Sequence, residues 1–193
     1  METNKFVFID TETTGLDPQR HGIIQFAGMI LFEENGFYVN KESFDFRLKT
    51  FSVDEVDDKA LEVNGTSREE IATFRHPQDI YVEFSKILCK YCNKFDKEDK
   101  MFFVGYNARF AYDFMRRWFE KCGDNYFGSF FFYPPIDVMN LAIVKLMPIR
   151  KSLPNFKLQT VTEHFNIVPE GNLHDAFTDI DITRQLFFKL MEE

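Results

Sequence analysis

The stretch "KFVFIDTETTGLDP", residues 5–18, decides the fold of this 193-residue chain. Its first six residues are almost continuously apolar, which is typical of a central strand that is covered on both faces. The "TTGLDP" segment after it has the composition of a turn. Asp10 and Glu12 stand at the end of the strand, and because side chains alternate along a strand, both carboxylates point to the same side. The sequence therefore predicts two converging acids at a strand end.

More strands and helices follow this stretch. "GIIQFAGMILFE" (22–33) and "FYVNKESFDFRL" (37–48) are predicted strands, joined by a hairpin turn at Asn35-Gly36. Later helical or strand patterns cover 54–65, 66–71, 77–95, 100–107, 108–119, 136–147, 153–167 and 174–193. Antiparallel strands followed by helices that alternate with further strands predict an α/β fold, a mixed β-sheet flanked by α-helices, with residues 1–193 as a single domain.

The composition favours a folded protein with a small binding footprint. Hydrophobic residues make up 45% of the chain and aromatic residues 17%, so material for a core is plentiful. The formal net charge is −8, from 31 acids against 23 Lys and Arg, which argues against a protein that coats long nucleic acid with a basic surface. The charge is compatible with a nuclease that holds a few nucleotides through metal ions and a local basic patch.

The cysteines and the hydropathy pattern predict a cytoplasmic protein. Cys89, Cys92 and Cys122 cannot all pair, and no secretory segment precedes "KFVFID", so we expect a reduced, intracellular setting. Cys89 and Cys92 form a CxxC inside a helical pattern with no second Cys or His pair nearby, which favours buried helix thiols over zinc or redox chemistry. No apolar run approaches the ~20 residues of a membrane span, so no membrane partner is expected.

A second acidic signal lies near the end of the chain, in "NLHDAFTDIDITRQLF". His174 precedes a predicted helix and Asp179 lies inside it, so the imidazole can approach the same site as an inward-facing acid. In the alternative interpretation, His174 and Asp175 only begin and cap the helix, while Asp179 and Asp181 are solvated. Asp181, two residues further on, points well away from Asp179 in either case.

Three motifs in this order resemble those of the DEDDh 3′-to-5′ exonucleases, which include the epsilon subunit of bacterial DNA polymerase III, RNase T and oligoribonuclease. They are "FIDTETTGLDP", "FVGYNARFAYDF" and "LHDAFTD", and the likeness runs over nearly the whole chain. The resemblance implies a ribonuclease H-like sheet. It also implies two-metal hydrolysis of phosphodiester bonds from a 3′ end, with single-stranded DNA or RNA, or short oligonucleotides, as substrate and nucleoside monophosphates as products.

The resemblance also assigns roles to single residues. Asp10, Glu12 and Asp179 match the family's metal ligands, and His174 matches its general base. Two divalent ions, Mg²⁺ or Mn²⁺, ~3.5–4 Å apart could stabilise both the attacking water and the leaving 3′ oxygen. Oxygen ligands suit these hard cations, and a neutral His near its working pKa can accept the proton of the water.

Residues after the first strand are predicted to contact the terminal nucleotide. The predicted nucleic-acid contacts are Thr13, Thr14, Gly15, Leu16 and Asn107. Exposed backbone from Thr13 to Gly15 would let the nucleotide approach closely, and Leu16 would wedge against its base, as the matching residues do in the family. The alternative is an ordinary turn after the strand.

One family ligand is absent from the second motif. The family pattern is His-Asn-Ala-x-Phe-Asp, whereas this chain has Ala111 after the Phe. Residues two apart on a helix point roughly 200° apart, so Asp113 does not reach a site that position 111 reaches. Asp113 instead neighbours Arg109 and other arginines at one-turn spacing, which predicts a solvated salt-bridge partner. Some family members carry a longer motif with an acid after a Tyr, and "AYDF" could imitate it.

Two explanations of Ala111 remain open. Either the natural protein has Asp there and this chain is an engineered inactive form, or the protein is a naturally weakened or inactive nuclease that still binds nucleic acid. The other acids and His174 are all present, which favours the first explanation, because a lineage free of catalytic constraint has no physical reason to keep a repulsive cluster. In both cases this chain is expected to be inactive or weakened.

Three functional classes remain from the sequence. The leading hypothesis is a metal-dependent 3′-to-5′ exonuclease. The second is a catalytically inactive nucleic-acid-binding or polymerase-associated subunit, and the third is an unrelated metal-dependent phosphohydrolase. A polymerase or a second copy of the chain is a conceivable partner. Residues that could hold phosphates are the basic side chains of two segments, namely Arg109, Arg116, Arg117 and Lys121, then Arg150, Lys151 and Lys157.

Overall fold

A computed structural model describes residues 4–169 and 175–192, and a five-stranded mixed sheet lies at its centre. The strands are β1 (Lys5–Thr13), β2 (Ile23–Glu34), β3 (Phe37–Arg47), β4 (Phe102–Gly105) and β5 (Ile136–Asp137). Their order is β3-β2-β1-β4-β5, with β1 antiparallel to β2 and parallel to β4. The predicted central position of β1 is therefore confirmed, and so is the mixed sheet.

Seven α-helices flank the sheet within the described ranges. They are α1 (Asp58–Asn64), α2 (Arg68–Ile71), α3 (Pro77–Tyr91), α4 (Ala108–Lys121), α5 (Val138–Leu146), α6 (Leu158–His164) and α7 (Ala176–Met191). The predicted end of α1 at Asn64-Gly65 is confirmed, because Gly65 has a φ of 62° and its N–H closes the last turn. Among the residues that the structure describes, no helix has the length and apolarity to cross a lipid bilayer.

The alternating side chains of β1 enter two separate apolar clusters. Val7 and Ile9 belong to the first cluster, which α3 and α4 cover on one face of the sheet. Phe6 and Phe8 belong to the second cluster, which α5, α6 and α7 cover on the other face. Because both faces are covered, the strand is apolar at each position from Phe6 to Ile9, as the sequence indicates.

The short strand β5 was not predicted. The segment "FFYPPIDV" was expected to be extended before Ile136 and helical after it, and the helix does begin at Val138. Ile136 and Asp137 pair in parallel with Val104 and Gly105, however, and so add a fifth strand to the sheet. Two residues are too few to show the alternation that identifies a strand in a sequence.

The strand β1 runs past the end of its neighbour β4. The two strands pair only from Phe6 to Phe8 of β1, and β4 ends at Gly105. A side chain at position 105 would place its Cβ 2.9 Å from the carbonyl oxygen of Ile9, so glycine lets the chain turn away into α4 at this point. The last residues of β1, which carry Asp10 and Glu12, therefore lie beside an open edge.

Candidate active site

Three of the predicted acids come together at this open edge. Asp10 and Glu12 project from β1 on the face that α7 covers, and Asp179 projects from the first turn of α7. One carboxylate oxygen from each residue lies within 4.8 Å of those of the other two, and all three residues are half-buried. We call these residues the acid group. The predicted His174 lies outside the described residues.

The acid group is electrostatically unfavourable without a cation. Burial raises the pKa of Asp10 well above its usual range, and repulsion by Glu12 and then Asp179 raises it further. Burial also raises the pKa of Glu12 to about 7, with smaller contributions from Asp179 and Asp175. Carboxylates that share a half-buried site ionise together only when a positive charge compensates them.

The donor set of the acid group fits a divalent metal ion. Carboxylate oxygens are hard ligands, and Mg²⁺ and Mn²⁺ prefer them to nitrogen or sulfur. The oxygens of Asp10, Glu12 and Asp179 are close enough together to share one cation. A bound cation would also remove the repulsion that raises the pKa of Asp10 and Glu12.

A polar network that the sequence reasoning missed fixes the start of α7. Asp175 caps this helix, since its carboxylate accepts the N–H of Thr178 at 3.3 Å. Gln25 lies opposite Glu12 in the β1–β2 ladder and donates its amide to Asp175 at 3.3 Å and to Asp45 at 2.9 Å. A glutamine in the middle of the apolar run "IIQFAG" was the available signal, because a buried amide needs partners.

The expectation of exposed backbone from Thr13 to Gly15 is wrong. Thr13 and Thr14 are 7% and 0% exposed, and Gly15 is also buried. The ring of His21 packs against Gly15 so closely that a Cβ there would lie 2.3 Å from it. The hydroxyl of Thr13 donates to the carbonyl of Gly15 at 2.7 Å. This turn is a packed element rather than an open platform.

Two other predicted nucleotide contacts are exposed. Leu16, at the tip of the same turn, is 83% exposed, which is unusual for a large apolar side chain. Asn107 precedes α4 with a φ of 58°, and its side chain makes no capping hydrogen bond. Its backbone N–H donates to the carboxylate of Asp137 at 3.0 Å, whereas its exposed side-chain amide makes no hydrogen bond within the described residues.

The helix α4 contributes no carboxylate to the acid group. Asp113 forms a salt bridge with Arg109, with 2.6 Å between Oδ2 and Nε, so the prediction of a solvated salt-bridge partner is confirmed. The alternative in which "AYDF" supplies the fourth ligand is not supported, because Asp113 is outside the acid group. Ala111 is 3% exposed and belongs to the first apolar cluster.

The other cations of α4 are also engaged within the chain. Arg116 and Arg117 pair with Glu120 at 3.5 and 2.9 Å, and Lys121 forms a nearly buried ion pair with Asp54. By contrast, the exposed residues Arg150, Lys151 and Lys157 have no ion-pair partner in the part of the chain that the structure describes. Of the two predicted basic segments, the one with Arg150, Lys151 and Lys157 is therefore the better supported as an exposed phosphate-binding patch.

The cysteines have different environments. Cys92 and Cys122 are buried, but Cys89 is exposed, so the prediction of buried thiols is wrong for Cys89. Cys89 lies in α3, and its side chain points away from the first apolar cluster, whereas Cys92 lies within it. Burial raises the pKa of Cys92 to about 11, which keeps the thiol protonated and unsuited to zinc.

Comparisons of the sequence with known proteins agree with this geometry. A sequence model of the RNase T family, an exonuclease family, matches residues 7–187. The DNA polymerase III PolC-type of Thermotoga maritima is 29% identical over 97% of this chain, and the chain spans only 12% of that protein. The 3′-5′ DNA exonuclease Cap18 of Escherichia coli is 33% identical, over 97% of this chain and 92% of that protein.

Solved structures have the same fold. A structure of exonuclease I superimposes with a TM-score of 0.74 at 22% identity. The match covers 98% of this chain and 41% of the exonuclease I chain. The cell-death related nuclease 4 (CRN-4) superimposes with a TM-score of 0.71 at 15% identity. That match covers 97% of this chain and 64% of the CRN-4 chain. These matches confirm the predicted ribonuclease H-like sheet.

Proposed function

The chain belongs to the RNase T exonuclease family. We propose that it has the fold and the active site of a metal-dependent 3′-to-5′ exonuclease, which removes nucleoside monophosphates from single-stranded DNA. The observation that carries this proposal is the acid group, in which three half-buried carboxylates lie within 4.8 Å of one another. DNA as the substrate is supported by the similarity to Cap18, a 3′-5′ DNA exonuclease that is 33% identical to this chain over 92% of its own length.

The acid group would hold the metal. Asp10, Glu12 and Asp179 would bind two Mg²⁺ or Mn²⁺ ions, which when bound would stabilise charge on the attacking water and on the leaving 3′ oxygen. The burial of the three carboxylates supports this role, because it makes a cation the favourable way to keep them ionised. His174 would accept the proton of the attacking water.

The terminal nucleotide would lie between the turn after β1 and the start of α4. Leu16 would contact its base, since this exposed apolar side chain loses its water when a base covers it. Asn107 would donate its amide to the sugar or the phosphate. The buried Thr13, Thr14 and Gly15 would act through backbone and shape, by holding the turn that presents Leu16.

This chain is expected to be weakened or inactive, because Ala111 offers no carboxylate from α4. The exonuclease hypothesis therefore has an alternative, a catalytically inactive nucleic-acid-binding or polymerase-associated subunit. The similarity to the PolC-type polymerase supports this alternative. Either protein would work in the cytoplasm, where a reducing environment suits its free cysteines.

The test uses matched 3′-labelled DNA and RNA oligonucleotides with this chain and its Ala111→Asp form, under Mg²⁺ and under Mn²⁺. We expect stepwise release of monophosphates that is at least 100-fold faster for Ala111→Asp, because a restored acid completes the electrostatic stabilisation. Retention of the oligonucleotide without cleavage by either form would support the inactive subunit. Cleavage of small phosphate esters alone would indicate the unrelated phosphohydrolase.

A further inference from the structure

A small pocket lies on the opposite face of the sheet from the acid group. It is enclosed by the turn before β2, the loop after β3 and the helix α4, and it holds about 10 Å³, enough for one water-sized group. Its wall includes Trp118 and Phe114, which belong to the first apolar cluster. The polar residues of the wall are His21, Lys49, Asp54, Arg117, Trp118 and Lys121.

Two buried hydrogen-bond donors of this wall have no acceptor among the described residues. Trp118 is 3% exposed, and its Nε1–H has no partner. The Nε–H of the adjacent Arg117 is also buried without a partner, although the same guanidinium donates from Nη1 to Glu120 at 2.9 Å. A buried donor without an acceptor costs about 1–3 kcal/mol, so a bound group with acceptor oxygens beside Trp118 and Arg117 would relieve that cost.

The charge of the pocket selects an anion. Asp54 is the only carboxylate among the residues of the wall, and the ion pair with Lys121 neutralises it. The second oxygen of Asp54 accepts the N–H of Phe51 at 2.9 Å, so both of its oxygens are engaged. Lys49 is half-buried and has no ion-pair partner within the described part of the chain. Glu120 lies outside the wall and is shared by Arg116 and Arg117, so it neutralises Arg117 only in part, and with Lys49 the pocket keeps a net positive charge.

We propose that this pocket is a phosphate site. One phosphate oxygen enters the floor and accepts from the Nε1–H of Trp118 and the Nε–H of Arg117, while Lys49 compensates the charge at the mouth. Hydrogen bonds from charged donors to phosphate are short and strong, and the guanidinium is well suited to them. The phosphate can come from two sources, which are the free anion and the backbone of a nucleic-acid strand that passes round the sheet edge.

The single tryptophan of the chain makes the proposal directly measurable. Trp118 is the only Trp in the sequence and it lines the pocket, so its fluorescence should report occupancy without any assay of cleavage. We expect a saturable emission change on titration with inorganic phosphate that chloride at matched ionic strength does not produce. This outcome is independent of the proposed nuclease reaction.

Matched substitutions separate the pocket from general surface charge. Arg117→Met should weaken phosphate binding at least about tenfold, and Lys49→Met several-fold, because each removes a positive partner of the anion. The control is Arg116→Met. It removes the same charge from the neighbouring residue, whose exposed side chain does not line the pocket. Phosphate should also raise the Tm of the unsubstituted chain, because it binds the folded state. Trp118→Phe keeps a ring in the core but loses the donor, so this rise in Tm should be lost.

The source of the phosphate is decided by competition. A single-stranded oligonucleotide without terminal phosphates should displace inorganic phosphate if a strand occupies the pocket, and should have no effect if the ligand is the free anion. The proposal is overturned if phosphate causes no saturable change in Trp118 emission beyond that caused by chloride. It is also overturned if the Arg117→Met and Arg116→Met variants have the same affinity for phosphate. The two donors would then serve a buried water only.

Discussion

Helices α4 and α7 begin at the same edge of the sheet on its two opposite faces, but only α7 brings a carboxylate to the acid group. Asp179 lies in the first turn of α7 and faces Glu12 and Asp10. On α4 the acid of the first turns, Asp113, lies on the exposed side and pairs with Arg109. Ala111, one of the buried positions of α4, carries no carboxylate. The register of a helix, rather than the presence of an acid in it, decides which carboxylate reaches the site.

The two helix starts are also held differently. The first turn of α7 is fixed by Asp175, which receives hydrogen bonds from Thr178 and Gln25. The start of α4 has no side-chain cap, and it is tied to β5 through the N–H of Asn107 and the carboxylate of Asp137. The better-fixed helix carries the candidate ligand, as expected for a site that must hold its carboxylates in place.

The largest expected effect separates the acids of the two helices. In the Ala111→Asp form, Asp179→Asn should lower oligonucleotide cleavage about 1,000-fold, because the amide removes a charged metal ligand. The matched substitution Asp113→Asn on α4 should leave the rate within about twofold, as expected for an exposed ion pair. Measured single-turnover rates decide this, and equal losses in both variants would show that the distinction between the helices is wrong.

A second effect concerns the stability cost of restoring an acid on α4. Ala111→Asp should lower the free energy of unfolding by about 2–3 kcal/mol without metal, because position 111 is 3% exposed and a buried carboxylate needs a positive partner. Mn²⁺ should recover most of this loss, since it binds the folded state.

Urea unfolding with EDTA and with Mn²⁺ measures this effect. Ala111→Asn is the control, because it has similar size and no charge, and it should gain nothing extra from Mn²⁺. If the Ala111→Asp form and the starting chain gain equally from the metal, position 111 does not face the site.

The raised pKa of Glu12 predicts the direction of the pH dependence. Between its ordinary value of 4.5 and about 7, the folded protein without metal binds more protons than the unfolded chain. Stability is therefore greatest below pH 4.5 for this group and falls by about 2–3 kcal/mol as the pH rises through 7. Unfolding free energies at pH 5 and 8 in EDTA measure this fall. Glu12→Gln should flatten it, and an equal slope in that variant would refute the assignment.

The smallest effect tests the network at the start of α7. Gln25→Leu removes the hydrogen bonds to Asp45 and Asp175, so Asp179 should be held less firmly, and Mn²⁺ affinity should fall about tenfold. The control is Gln159→Leu, the same change at an exposed position of α6. Isothermal titration measures both variants. Equal affinities would show that Gln25 supports the fold but not the site.

Much of the fold could be predicted because its signals are local. The apolar run of β1, the Asn35-Gly36 turn and the Asn64-Gly65 helix end each depend on residues close together in the chain. The strand β5 could not be predicted, because its two residues are defined only by pairing with β4. The pattern of residues can show a long element, whereas a short one depends on its neighbours in space.

The candidate site was predicted in part for the same reason. The spacing of Asp10 and Glu12 on one strand indicates their convergence, and the resemblance to a family adds Asp179. The role of Gln25 could not be derived, since its partners Asp45 and Asp175 are 20 and 150 residues away. The burial of Thr14 also depends on distant residues, because its hydroxyl donates to the carbonyl of Glu55 at 2.6 Å.

The most direct test of the acid group is a calorimetric titration of this chain with Mn²⁺, without substrate. Asp10, Glu12 and Asp179 should bind the metal even with Ala111 in place, and the Asp113→Asn form should bind it equally. Asp179→Asn should show little or no binding. Unchanged Mn²⁺ binding by Asp179→Asn, or no saturable binding by the chain itself, would contradict the assignment of these three carboxylates as a metal site.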